Sequence, residues 1–531
     1  MQLRPLATRQ LRAPPAPPAR NTRAVCRAVT TPDAALAYVQ ATPQLLAHLR
    51  CSSREDPTVW HVEELAHGKI NHVFLVQCLD PGSSQGAATG LVLKHAPPYV
   101  KSAGPCFPLS QDRIHVEQQA MRIMHSHCPN HVPALLHFDP HRHVIAMQWL
   151  QPPHDKLLTL LHDGAALPPH LGSQLASLLA AQLLHTSVGT LTPEQHAGQV
   201  AAFANPGVEA ANLMVVLYEP LDPACLTNRL LKGGPCTPPC TQPHPAELAA
   251  QIRGSAEVHG AVAELAESYC SHKQCLIHND LHTGNLLLSP RDCAPALVCI
   301  DWEFATYGPI AFDLGCLVGV LLLAHLVLQQ QRKQHQPTHI HRQPKEKEEG
   351  EGKEEKEVGQ QEQDNGEGAA ATGSPAVEED VARGVDEGGV MEEVLGECPH
   401  CCARERQTAW VESTLCLLWV QLLQLVALAP GLTLAPASRG PQGSMDSLVD
   451  SSVCGDVAGY AATTLMRLTM GRHAYPGYER LRPGPHLAAA EAQALLLALR
   501  LLELRRAWRG VRKGPDGLME EIVGLVREMH H

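Results

Sequence analysis

The chain has 531 residues, 44% of them hydrophobic, and a formal net charge of −12; that length allows two or three domains, and that apolar content a substantial core. The charge is concentrated: residues 346–397 hold 18 acidic and 4 basic side chains, leaving the rest of the chain near neutral, which excludes the broad basic field of a nucleic-acid-binding surface. Eighteen scattered cysteines lack the dense spacing of a secreted disulfide scaffold and point to a reducing compartment with free, mostly buried thiols.

Residues 1–32 contain six arginines and no acidic residue, in a segment rich in Ala, Pro and Thr. That composition suits a transit peptide for the chloroplast or another organelle, against the alternatives of a Pro-Ala tail and a cytoplasmic protein. Residues 33–150 read as a small β-rich lobe. Pro32–Leu49 is helical. Trp60–Gln77 forms two strands around a turn holding Gly68, Lys69, Ile70 and Asn71. Leu91–His95 is a strand. Gln111–His127 is a helix with Asp112 near its start. Val144–Leu150 is a strand closed by Gln151-Pro152-Pro153, which reads as a hinge.

Residues 151–328 begin a large, mainly helical lobe. Leu171, Leu175, Leu178 and Leu179 recur at helical spacing within His170–Leu184, and Ala246–Tyr269 is a second amphipathic helix. A polar loop, a strand pair carrying Asp301 and an apolar helix from Ile310 follow. Residues 329–404 have too little apolar content to pack and read as an acidic, disordered insertion. Helical periodicity then fills residues 405–531. The apolar runs Leu314–Leu328 and Leu415–Leu428 are short and interrupted by His325, or by Gln421 and Gln424, so they read as buried helices and no membrane partner is expected. Cys236 and Cys240, and the group Cys398, His400, Cys401 and Cys402, fall short of four well-spaced zinc ligands. A ligand cleft is expected between the two lobes.

The chemistry gathers between Cys275 and Gly315. His278, Asp280 and Asn285 form H-x-D-x4-N, and Asp301 with Glu303 follows at the end of the next apolar run. In phosphoryl transfer a protein mainly positions groups and offsets charge. Asp280 is placed to orient a hydroxyl and accept its proton. Asn285 and Asp301 suit magnesium on ATP phosphates, because magnesium takes one or two carboxylates plus phosphates and water. Glu303, two residues on, faces the same side if the segment is extended, and is a further metal candidate. Lys94, mid-strand, can reach ATP phosphates and pair with Glu117 on the following helix. Gly68 and Asn71 can lie over the phosphates, or Gly68 can simply make the hairpin turn. Asp313 reads as a brace for the loop, and His278 and His282 as its supports.

The stretches H-x-D-L-H-T-G and I-D-x-E-F-x-x-Y-G-P-x-x-F-D-x-G, with K-H-A-P-P-Y-V-K from Lys94, L-S-Q-D-R-I-H-V-E from Leu109 and M-Q-W-L-Q-P-P-H from Met147, resemble methylthioribose kinases. These belong to the aminoglycoside phosphotransferase and choline kinase superfamily. The resemblance implies a two-lobed, protein-kinase-like α+β fold. It implies transfer of phosphate from Mg-ATP to the C1 hydroxyl of 5-methylthioribose in methionine salvage, and often a homodimer. Carried over by position, Asp280 is the base, Asp301 and Glu303 hold Mg2+, and Lys94 contacts ATP. The chain departs from the family in four places. Asn279 stands where Gly is usual, Asn285 where Ser is frequent, and Gly104-Pro105-Cys106-Phe107-Pro108 replaces a different loop. Of two adjacent substrate arginines only Arg467 remains, before Leu468; Arg472 lies one turn on. A kinase of choline or another sugar, and a non-catalytic nucleotide-binding relative, are the alternatives.

Overall fold

A computed structural model describes residues 28–50, 56–65, 68–79, 89–165, 167–223, 244–289, 297–335, 399–427, 449–510 and 515–529. Most of the arginine-rich leader, the Cys236/Cys240 loop, Cys398 and the acidic tract lie outside them. Strands β1 (Trp60–Glu64), β2 (His72–Cys78), β3 (Thr89–His95), β4 (Leu135–Asp139) and β5 (Val144–Gln148) form an antiparallel sheet of order β1-β2-β3-β5-β4.

Period-two alternation assigns each strand residue to a side. Phe74, Val76, Leu91, Leu93, Val144 and Ala146 pack in one cluster with helices α1 (Pro32–Ala41) and α2 (Pro43–Leu49). Ile145 and Met147, one residue out of phase, join the other cluster with Ile114 and Met121 of α3 (Arg113–His127). Val92 belongs to that second face, and so does Lys94, two residues on. The pleat therefore aims Lys94 at α3. The expected helix Pro32–Leu49 is two, because Pro43 removes a backbone donor and Thr42 turns extended. Asp112 stands at the start of α3 without bonding to its backbone; its carboxylate accepts from the Ser110 hydroxyl instead.

The remainder is mainly helical. Helices α4 (Leu157–Asp163), α5 (Leu171–Thr186), α6 (Pro193–Ala202) and α7 (Pro206–Asn212) lead into a π-helical turn, Leu213–Tyr218. Helices α8 (Pro245–Gly254) and α9 (Ala256–Ser271) replace the single helix expected there. Gly254 closes one, and the Ser255 hydroxyl caps the next by accepting from Val258. Two small sheets follow. One pairs β7 (Cys275–Ile277) with β10 (Thr306–Gly308). The other has order β6-β8-β9, from β6 (Asp155–Lys156), β8 (Leu286–Leu288) and β9 (Leu297–Cys299).

Helix α10 (Ile310–His335) is buried from Ile310 through Gln331, the centre of the helical body. It runs seven residues beyond the boundary read at 328, since Gln329, Gln330 and Gln331 are buried with it. Around it lie α11 (Pro399–Ala427), α12 (Ser451–Met470) and α13 (Pro485–Gly510), and α14 (Leu518–Glu528) packs on α11 and α13. A Cβ on Gly315 would stand 2.5 Å from the Tyr460 Cβ, so the missing side chain sets how closely α10 and α12 approach. The apolar runs read as short are parts of longer helices. Ile310–His335 and Cys402–Ala427, 26 residues each, are long and apolar enough to cross a membrane; the apolar window of the first is wholly buried in the protein and that of the second about one-third buried.

Candidate active site

The polar loop between β7 and β8 is held from beneath. Asp313, on the first turn of α10, accepts from the backbone N–H groups of His278 (2.6 Å) and Asn279 (2.9 Å), and from Gln182 Nε2 (3.0 Å). His278 Nε2 meets the Ile300 carbonyl at 2.8 Å, and its Nδ1 accepts from the Asp280 N–H at 3.3 Å. Asp313 is thus the brace the sequence suggested, and His278 ties the loop to the strand that leads to Asp301.

Asn279 has φ 68°, in the left-handed region, which asparagine tolerates better than β-branched or bulky residues. Asparagine can therefore stand at a position that glycine would otherwise favour. The side chain is used as well: Oδ1 accepts from the Tyr269 hydroxyl at 2.8 Å, and Nδ2 donates to the Phe304 carbonyl at 2.9 Å. Asn279→Val should cost about 1–3 kcal/mol of stability through backbone strain, and more through the lost bonds. Asn279→Gly should be the milder change. Thermal melting of the two variants checks the order; equal losses would remove the backbone argument.

Asp280 projects from this loop with a third of its side chain exposed. His282 Nε2 lies 3.6 Å from its Oδ2. Burial raises the Asp280 carboxyl, but His282, Arg467 and His278 outweigh that and hold it below its ordinary value. It is therefore ionised, and available as a proton acceptor, at neutral pH. Asn285 donates from Nδ2 to the Asp280 carbonyl at 3.0 Å, which leaves the oxygen end of the amide for other use. Its own carbonyl accepts from Ile300 N–H at 3.0 Å, fastening β8 beside the Asp301 segment.

Asp301 also sits in the left-handed region, at φ 66°, and Trp302–Phe304 forms a 3-10 turn. Lys94 Nζ lies 2.8 Å from Glu117 and 2.5 Å from Asp301 Oδ1. Burial alone would lower the Lys94 ammonium; the carboxylates of Asp301, Glu117 and Glu303 reverse this and hold it raised. Three carboxylates around one ammonium cannot all ionise freely, and Glu117, fully buried, is pushed up to about 8. Asp301 stays below its ordinary value, because the Lys94 charge overcomes its burial.

Glu303 does not share the side of Asp301, contrary to the extended reading. The left-handed residue and the tight turn carry it inward, where it is 3% exposed. There it accepts from Asn71 Nδ2 at 2.7 Å and lies 3.2 Å from Arg113 Nε. Asn71 is likewise buried, and its Oδ1 accepts from the Arg113 guanidinium at 2.9 and 3.1 Å. Glu303 and Asn71 therefore bind each other and Arg113, tying the β1–β2 turn to the Asp301 segment. Gly68 is required by that turn, since a Cβ would lie 2.6 Å from the Asn71 carbonyl oxygen. Arg113 was not singled out from sequence; its signal is the four-residue spacing from Glu117, which puts both on one face of α3.

Arg467 comes from the last turns of α12. Together with Asn212, Val216, Asp280, His282 and Phe312 it lines a small cleft, and its Nε has no hydrogen-bond partner among the described residues. Asn212 Nδ2 donates to the Asn279 carbonyl at 3.0 Å, which joins the end of α7 to the loop. Leu468 is buried in the core, and Arg472 pairs with Glu219 at 3.1 Å. The arrangement brings together an ionised carboxylate, an amide and a carboxylate suited to a hard cation, and lysine and arginine suited to anions.

The Phosphotransferase enzyme family (APH) matches residues 61–339, just over half of the chain. Methylthioribose kinase 2 of Oryza sativa subsp. japonica is 33% identical over 292 residues, covering 55% of this chain and 62% of that protein. Methylthioribose kinase of Citrobacter koseri is 33% identical over 273 residues, covering 51% of this chain and 62% of its own length. The chain thus spans about three-fifths of the length of the curated relatives it matches. The crystal structure of choline kinase from Cryptosporidium parvum Iowa II overlays with a TM-score of 0.39 at 8% identity, covering 94% of this chain and 99% of that one, too loosely to bear on function.

Proposed function

Because the chain belongs to the phosphotransferase enzyme family, we propose that it is an ATP-dependent kinase of a small alcohol, 5-methylthioribose phosphorylated at its C1 hydroxyl. The observation that carries this reading is the Lys94–Glu117–Asp301 contact beside an ionised, partly exposed Asp280. The five-stranded sheet with α3 and the helical body are, on this proposal, the two lobes of a protein-kinase-like fold.

Lys94, steadied by Glu117, binds ATP phosphates. Asp301 and the Asn285 amide oxygen fit magnesium: both are hard oxygen donors, and 43% of the Asp301 side chain remains exposed. Magnesium, when bound, neutralises charge developing on the phosphate oxygens. Asp280 orients the substrate hydroxyl and accepts its proton. An anomeric hydroxyl is more acidic than an ordinary alcohol, so a carboxylate with a lowered pKa suffices. Arg467 offers a cation to the substrate end of the cleft. A positive charge there disfavours a quaternary ammonium substrate, which would need an aromatic cage instead; Phe312 is the one Phe, Tyr or Trp ring lining this cleft among the described residues.

The test is to incubate the full chain with Mg-ATP and 5-methylthioribose and follow phosphorus NMR. A phosphate ester signal coupled to the anomeric proton supports the reading. An ester at another hydroxyl, or none, defeats it.

A further inference from the structure

Lys156 stands out among the basic groups near the site. It lies in the two-residue strand β6, opposite Leu287 of β8, and Leu158 N–H donates to the Thr283 carbonyl at 3.1 Å just beyond it. These bonds fix the backbone of Lys156 against the end of the loop that carries Asp280 and Asn285. The side chain is half-buried and makes no ion pair or side-chain hydrogen bond among the described residues. Its ammonium nevertheless feels two charges, Asp301 and the Lys69 ammonium from the β1–β2 turn. Burial lowers it, Asp301 opposes this, and Lys69 adds to the lowering.

Partial burial of an unpaired ammonium is unfavourable, and a second ammonium nearby makes it worse. Both costs fall when an anion binds the ammonium. Lys69 is also felt by His473, which lies beside Arg467 and Arg472. The late helix supplies a single guanidinium at its 467–468 step, because Leu468 is in the core and Arg472 is engaged by Glu219.

We propose that Lys156 is a second phosphate-binding residue of this site, contacting the nucleotide polyphosphate from the β6–β8 side of Asp301 while Lys94 contacts it from the sheet. The proposal rests on the kinase reading above and adds to it a residue outside the H-x-D-x4-N and D-x-E motifs.

The experiment measures calorimetric binding of ADP and of adenosine, both with magnesium, to the full chain and to Lys156→Met and Lys156→Arg, with melting temperatures recorded in parallel. Lys156→Met should weaken ADP binding about tenfold, the range for one charged hydrogen bond. Adenosine binding and melting should stay unchanged, and Lys156→Arg should restore most of the ADP affinity. ADP binding by Lys156→Met at the wild-type level overturns the proposal. So does an equal loss for ADP and adenosine, or no recovery in a folded Lys156→Arg. A wild-type chain that binds no nucleotide overturns the kinase reading as well, which separates the two failures.

Discussion

Asp280→Asn is expected to lower kcat by about a thousandfold, within the range for removing a positioned general base, with little change in ATP affinity or melting temperature. The change keeps size and shape and removes only the charge and the proton-accepting oxygen. Stability should hold because the Asp280 side chain is partly exposed and supports no backbone group; Asp313 and His278 shape the loop. Its lowered pKa also means that no loss of activity between pH 6 and 8 should come from Asp280 itself. Steady-state kinetics with a melting curve checks this. A variant that retains wild-type kcat would place the base elsewhere.

Lys94→Met is expected to be the most damaging single substitution to the fold of the site. Lys94 is the cation between Glu117 and Asp301, and its charge also reaches Glu303. Removing one partner from a buried ion pair costs about 3–5 kcal/mol, because the remaining charge is buried and uncompensated. ATP binding should be lost with it. The penalty should depend on pH with a definite sign. Burial raises the folded-state pKa of Glu117 above its unfolded value. A raised carboxyl favours the folded state at low pH, and that stability is lost as pH rises through about 8. Lys94→Met should therefore fall below the wild type by less near pH 5, where Asp301 alone loses its partner, than near pH 9. Melting curves across that range are the check; a pH-independent gap would show that lost packing, not charge, is responsible. Glu117→Gln should flatten the wild-type pH dependence.

The candidate residues that the structure brings together were legible because their types and spacings match the proposed chemistry. Asp280, Asn285, Asp301 and the Lys94–Glu117 pair all lie where the sequence put them relative to strands and helices. Glu303 was not legible. Its direction depends on one left-handed residue at Asp301, and nothing in I-D-W-E-F announces a positive φ. The bond from Asn71 to Glu303 was not legible for the same reason. Lys156 was invisible for another reason: its place is set by a two-residue strand that pairs with β8, about 130 residues later in the chain. Strand β4 escaped because Leu135–Asp139 is short, carries His137 and is bulged against β5. The joint at Ser255 was readable in retrospect, with Gly254 ending one helix and a serine starting the next. Boundary errors at α10 came from treating glutamines as solvent-facing; Gln330 is instead buried and donates to Gln493 Oε1 at 3.0 Å.

The most direct measurement is magnesium-dependent ADP release by the full chain with 5-methylthioribose, ribose and choline supplied in parallel. The account predicts turnover with 5-methylthioribose well above that with the other two, abolished by omitting magnesium and in Asp280→Asn. Faster turnover with choline or ribose, or ADP release that is indifferent to Asp280, would contradict it.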